Sequence, residues 1–175
     1  MLALANFIRE RADNGQFVLV NKGPLAKHIQ ESMGDLFYNR RGRLFAVEVK
    51  VEADNRHGNL FLEVWSNRNL EDRDSHAERG SNPGWMFKIR ADLLFYYFLR
   101  SDELYIADVF KLKRWLFGHG EVPGALPRFA PKRQSKYQQR NDTWGICVPI
   151  SLLSQQGVVK LVHPQQLSLW PEHAD

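Results

Sequence analysis

The stretch Asp35–Ala53, DLFYNRRGRLFAVEVKVEA, decides how this chain reads. DLFYN alternates towards a strand, Asn39-Arg40-Arg41-Gly42 is a turn, and RLFAVEVKVEA returns as a long strand. The three together spell a β-hairpin. Side chains along a strand point to alternate faces. Phe45, Val47, Val49 and Val51 therefore share one face, which has the composition of a core. Ala46, Glu48, Lys50 and Glu52 share the other, where a carboxylate and an ammonium stand side by side. Asp35, at the start of the first strand, can reach the same edge. Glu52 lies near the strand end and reads as solvated.

Two carboxylates meeting at one point repel each other unless a cation sits between them. A hard divalent ion answers that need, because Mg²⁺ takes one or two carboxylates together with waters and substrate phosphates. Such an ion serves phosphodiester chemistry, and a lysine beside it can stabilise the charge that develops there. Lys50 is the only lysine of the chain with an acid two positions before it.

Outward from the hairpin, residues 2–13 read as an amphipathic helix stopped at Asn14-Gly15, and Phe17 to Asn21 as a short buried strand. LAKHIQESM, ended by Gly34, reads as a helical turn. Gly58-Asn59 opens a third strand, LFLEVWS. Residues 67–84 are polar and without period, which marks a long loop. The apolar run ADLLFYYFL (91–99) reads as a compact helix, ELYIADV (103–109) as a strand and FKLKRWLFG (110–118) as a basic amphipathic helix. TWGICVPIS (143–151), LLSQQG and VVKLV (158–162) read as strand, short helix and strand. The order α-β-β-β-α-β is a mixed α/β layout with a C-terminal β-rich addition. It divides into a core over 1–118, a basic Pro- and Gly-rich arm over 119–142, and a strand-helix-strand extension over 143–175.

The chain has 175 residues, 43% hydrophobic and 25% charged, which suits one soluble domain with a real core. The longest apolar run, Leu93 to Leu99, is too short to span a bilayer. The N-terminus does not read as a signal peptide. With Cys147 as the single cysteine there is no internal disulfide and no thiolate zinc site, and a cytoplasmic setting is expected. The net charge is +4, but Lys111 to Arg140 holds eight Lys/Arg against the one acid Glu121. That stretch carries +7 and leaves −3 for the rest. A basic arm on a more acidic body suggests a polyanion partner, although a solvated loop has the same composition.

The segments NGQFVLVN and MGDLFYNRRGRLFAVEVKVE resemble the core of the PD-(D/E)XK nuclease superfamily, which is restriction-endonuclease-like. The layout is most similar to archaeal Holliday-junction resolvases and small phage-type nucleases, and the likeness covers roughly residues 2–116. GNLFLEVWSN (58–67) and GWMFKIRADLLFYYF (84–98) also look similar to phage proteins of this type. In that family a helix carrying a Glu and a strand precede a strand that starts at Asp. A strand bearing E-x-K follows, and a helix and a further strand complete the core. The resemblance implies an α/β fold with a central mixed sheet flanked by helices. It implies a Mg²⁺- or Mn²⁺-dependent endonuclease acting on DNA, with branched DNA as a candidate substrate. Asp35, Glu48 and the Val49 carbonyl would ligate the metal, and Lys50 would be the catalytic lysine. The fourth acid is Glu10 or Glu31. Gly34 stands where the family usually has a proline or small residue. A homodimer would place two such sites on the two strands of a duplex. A protein of the same fold that binds nucleic acid, or another protein, without cutting is the alternative.

Glu63, on the face of Phe61 and Trp65 in the third strand, is either a further acid at the site or a cross-strand partner for Lys50 or Arg56. Arg40, Arg41 and Arg43 at the hairpin turn are candidate phosphate contacts, as are Lys88, Lys132, Arg133, Lys136 and Arg140. Tyr137 and Trp144 lie near the last four, a mixture that suits nucleic acid. Trp85, Phe87 and Phe95 to Phe98 read as core. His28, His57, His76 and His119 show no metal-ligand spacing.

Overall fold

A computed structural model describes residues 17–19, 25–67, 82–118, 132–133 and 143–162. The protein is α/β, with a mixed central sheet flanked by helices and a second, antiparallel sheet packed against it. The expected helix over residues 2–13 lies outside the described residues.

The hairpin forms as its sequence dictates. β2 (Leu36–Arg40) and β3 (Arg43–Glu52) pair antiparallel from Leu36↔Val47 to Arg40↔Arg43. Only Arg41 and Gly42 lie between them, both at positive φ, 52° and 82°. A two-residue turn of that hand matches the natural twist of the strands. Asn39 Oδ1 accepts the Gly42 amide at 3.0 Å and closes the turn. β1 (Phe17–Leu19) adds to the outer side of β2.

The run ADLLFYYFL is not a helix. Leu93–Phe98 is a strand, β6, lying parallel to β3 and antiparallel to β7 (Glu103–Asp108). Its apolar residues show no alternation because both faces are buried. Leu94, Tyr96 and Phe98 pack towards the second sheet, and Phe95 and Tyr97 towards the other side. A short apolar run rich in aromatics is what a doubly covered strand requires. β10 (Val159–Val162) pairs with β7 and completes the order β1-β2-β3-β6-β7-β10.

A parallel pair such as β3 and β6 needs a crossover rather than a tight turn. Residues 53–92 supply it, and their described part is a strand, a two-residue strand and one helical turn. β4 (Asn59–Asn67), the strand that LFLEVWS predicts, lies not in the hairpin's sheet but in the second one. There it pairs with β5 (Asn82–Pro83) on one side and β9 (Trp144–Pro149) on the other. β8 (Lys132–Arg133) extends that sheet beyond β9, so part of the basic arm is a sheet edge. The second sheet turns Leu60, Leu62, Val64, Ile146 and Val148, none more than 1% exposed, onto Ala46, Leu94, Tyr96 and Phe98.

Four helices are described: α1 (Ala26–Ser32), α2 (Trp85–Lys88), α3 (Val109–Phe117) and α4 (Ile150–Gln155). α3 is amphipathic, with Leu112 and Leu116 buried, and it starts where Asp108 accepts the Lys111 amide at 2.9 Å. No helix among the described residues is long and apolar enough to cross a membrane.

Candidate active site at the end of the β2–β3 hairpin

Asp35, Phe37 and Asn39 alternate with Leu36 and Tyr38, which belong to the outer core. Phe37 and Asn39 are therefore on the same face as Ala46, Glu48 and Lys50, and Asp35 leads into that face from just before β2. Asp35 stands just before the Leu36↔Val47 pair that ends the ladder, and its bonds to Val47 O and the Val49 amide bracket Glu48 along β3.

Backbone bonding explains why the chain turns there. Asp35 N donates to Val47 O at 2.8 Å, and Asp35 Oδ2 accepts the Val49 amide at 2.8 Å. β2 begins at Leu36, so β3 residues beyond its partner Val47 have no strand on that side, and the aspartate caps the first open amide. Gly34 makes this approach feasible. It sits at φ +139°, and a Cβ on it would fall 2.7 Å from Val47 O. The position therefore admits glycine alone.

Alternate peptide groups of β3 face opposite edges. Ala46 O and Glu52 O accept from Asp92 N and Leu99 N on the β6 side, whereas Val47 O accepts from Asp35 on the β2 side. The Val49 amide also faces Asp35, and its carbonyl shares that edge. This end of the hairpin thus carries three oxygen donors along a short stretch of chain: the carboxylates of Asp35 and Glu48 and the carbonyl of Val49. Asp35 engages one carboxylate oxygen and Glu48 engages Oε1, with Lys50 Nζ at 2.5 Å. Among the described residues, the second oxygen of each has no hydrogen-bond partner. Hard oxygen donors in this number fit a Mg²⁺-type ion that keeps several waters. Among the described residues, no group of three or more His, Cys, Asp or Glu side chains is placed to hold a metal. Any ion would rest on the two carboxylates and the backbone.

Lys50 and Glu48 are both half-buried, with side chains 28% and 17% exposed. The Lys50 ammonium also lies 5.1 Å from the centre of the Trp85 ring. Trp85, whose apolar surroundings in the sequence predict a core position, packs partly buried against the inter-sheet cluster. Nothing local in the sequence ties it to a lysine so far upstream.

Glu52 is not solvated. The Tyr96 hydroxyl donates to Glu52 Oε1 and accepts from Phe61 N at 3.2 Å, which links β3, β6 and β4. Burial first, and then the Glu52 carboxylate, push the Tyr96 phenol far above its ordinary range. Glu63 alternates with the buried Leu62 and Val64, so it faces away from the inter-sheet core. Its carboxylate accepts from Ser66 Oγ at 2.5 Å and makes no bond to Lys50 or Arg56. Arg56 pairs with Asp54 at 2.9 Å.

Glu10 lies outside the described residues. Glu31 falls in α1, and its side chain is outside them too. Arg40, Arg41 and Arg43 crown the hairpin at the end remote from Asp35. Five residues of strand, about 16 Å, separate Arg43 from Glu48, and the Arg43 guanidinium sits 4.8 Å over the Phe45 ring. Lys88 is exposed at the end of α2, one turn from Trp85. Lys132 and Arg133 form β8, while Lys136, Tyr137 and Arg140 lie outside the described residues, as do His76 and His119. His28 and His57 are exposed.

No protein-family model, curated protein or solved structure matches this chain.

Proposed function

We propose that this protein is a divalent-metal-dependent nuclease of the PD-(D/E)XK kind that hydrolyses DNA phosphodiester bonds at Asp35, Glu48 and Lys50. The observation that carries the reading is the anchoring of Asp35 on the β3 edge, its amide on Val47 O and its carboxylate on the Val49 amide, either side of Glu48, with the Val49 carbonyl on the same open edge. The strand order adds support. The strand that begins just after Asp35 pairs with the E-x-K strand, and a further strand, β6, lies beside the latter. A small antiparallel sheet stands where the family places a connecting helix.

The chain's own residues divide the work. Asp35 and Glu48 would hold Mg²⁺ or Mn²⁺ with the Val49 carbonyl, and such an ion offsets phosphate charge and makes a bound water more acidic. The Val49 amide fixes the Asp35 carboxylate before any substrate arrives, so little reorganisation is left for the reaction. Lys50 brings a positive charge to where an oxyanion develops on phosphorus.

The test is cleavage of plasmid, linear and branched DNA, and of RNA, by purified protein with Mg²⁺ or Mn²⁺. Cleavage should vanish in Asp35→Ala, Glu48→Ala and Lys50→Ala while each variant stays folded. Wild-type protein that cuts none of these substrates would refute the enzyme reading.

One observation favours a second reading, a binding protein on the same fold. Every group of the trio has a structural partner: Asp35 caps Val49, and Lys50 and Glu48 pair with each other. Salt-sensitive DNA binding with no cleavage would select it.

A further inference from the structure

Lys50 has two neighbours at the site, the Glu48 carboxylate at 2.5 Å and the Trp85 ring at 5.1 Å. If Glu48 serves a divalent cation, it cannot remain a full partner of the ammonium. The cation draws the carboxylate and repels Lys50. A lysine on a flexible four-carbon stem then needs another hold to stay aimed. An indole face is the strongest aromatic partner for such a charge.

The indole is itself rigidly placed. Gly84 N donates to Val64 O at 2.8 Å, and a Cβ on Gly84 would lie 2.4 Å from Glu63 O. That backbone contact sets α2 against β4 at the residue before Trp85. Ile89 N donates to Trp85 O at 2.8 Å. Lys113 Nζ, from α3, donates to Ile89 O at 2.8 Å and Phe87 O at 3.3 Å. The second sheet and α3 together fix the platform on which Lys50 lies.

We propose that Trp85 is a positioning residue for Lys50, holding its ammonium against the indole face when Glu48 turns to a divalent cation. This rests on the nuclease reading and adds a role for the second sheet, which presents the ring. It predicts a Lys50–Trp85 contact that survives metal addition, whereas the Lys50–Glu48 pair does not.

The contact can be read without turnover in protein carrying ¹³C-labelled lysine. The Lys50 Cε protons, assigned by their loss in Lys50→Arg, should be shifted upfield by the ring current, both without metal and after adding Mg²⁺. Trp85→Leu should remove the shift, and Trp85→Phe should retain much of it. In cleavage assays, Trp85→Leu should lower kcat about three- to tenfold with little change in KM, the loss expected of a partly desolvated cation–π contact. Trp85→Phe should recover most of that loss, and Trp85→Met replaces the leucine variant if that one does not fold. An unshifted Lys50 signal, an unchanged kcat in Trp85→Leu, or an equal loss in the phenylalanine variant overturns the inference. Wild-type protein that cuts nothing ends the nuclease reading and this inference with it. Wild-type cleavage with an unshifted Lys50 ends the inference alone.

Discussion

Asp35 is both a strand cap and a proposed metal ligand, and one substitution separates the roles. An asparagine amide oxygen can still accept from the Val49 amide, but it carries no charge. Asp35→Asn should keep the stability of the parent within about 0.5 kcal/mol, whereas Asp35→Ala leaves the amide without its partner and should cost about 1 kcal/mol. Both should lose metal-dependent cleavage. Urea denaturation and a cleavage assay on the two variants decide this, and an active Asp35→Asn would show that the carboxylate is only a cap. The Glu48–Lys50 pair can be treated likewise. Replacing both together, by Glu48→Gln and Lys50→Met, removes the charges as a set. A half-buried pair lost in that way should change stability by less than about 1 kcal/mol, because the ions regain no better partner and leave none unpaired. Activity should still disappear.

At the scale of elements, β3 was legible because its two faces differ in chemistry. The valines and phenylalanine of one face and the charged residues of the other fix the register of the hairpin and bring Glu48 and Lys50 together. β6 was not legible, because a strand buried on both faces loses the period that betrays it. The same limit applies to β4: its own residues state that it is a strand but not which sheet it joins. That choice depends on Gly84 and Gly145, whose missing side chains admit the Glu63 backbone and the Phe61 ring. Gly84→Ala should therefore destabilise the protein by about 2 kcal/mol or more through overpacking against backbone. It should also displace Trp85, and denaturation curves with lysine spectra would show both. β6 carries a second test. The Tyr97 hydroxyl donates to Asp102 in the β6–β7 turn, and burial followed by that carboxylate pushes the phenol up from 10.0 to about 12. The folded state thus holds this proton between pH 10 and about pH 12, where the unfolded chain releases it. The contribution is fully present below pH 10 and lost as pH rises through about 12. Wild-type stability should fall more steeply with pH than that of Tyr97→Phe over this window. Parallel curves for the two proteins would contradict it.

For the whole molecule, two sheets share one core, and the site lies where the end of the central hairpin meets the turn that leaves the second sheet. This geometry sorts the basic residues by their distance from the chemistry. The hairpin arginines are a strand's length from Glu48. α3 is tied through Lys113 to the carbonyls of Phe87 in α2 and of Ile89 just after it, and it exposes Lys111 and Arg114. Neither of these makes an ion pair among the described residues. A duplex whose phosphate sits at Lys50 should therefore meet α3 before it meets the hairpin tip. Each cation that neutralises a phosphate contributes about 0.9 to the slope of log affinity against log salt. Replacing Lys111 and Arg114 by glutamine should lower that slope by about 2, with weakening that is uniform across DNA sequences. Replacing Arg40, Arg41 and Arg43 by glutamine should change it by less than about 1. Binding measured between low and physiological salt with a cleavage-dead Asp35→Asn background isolates the effect. If the hairpin variant loses the larger slope, DNA approaches along β2 and β3 from the turn, and the sorting by distance is wrong.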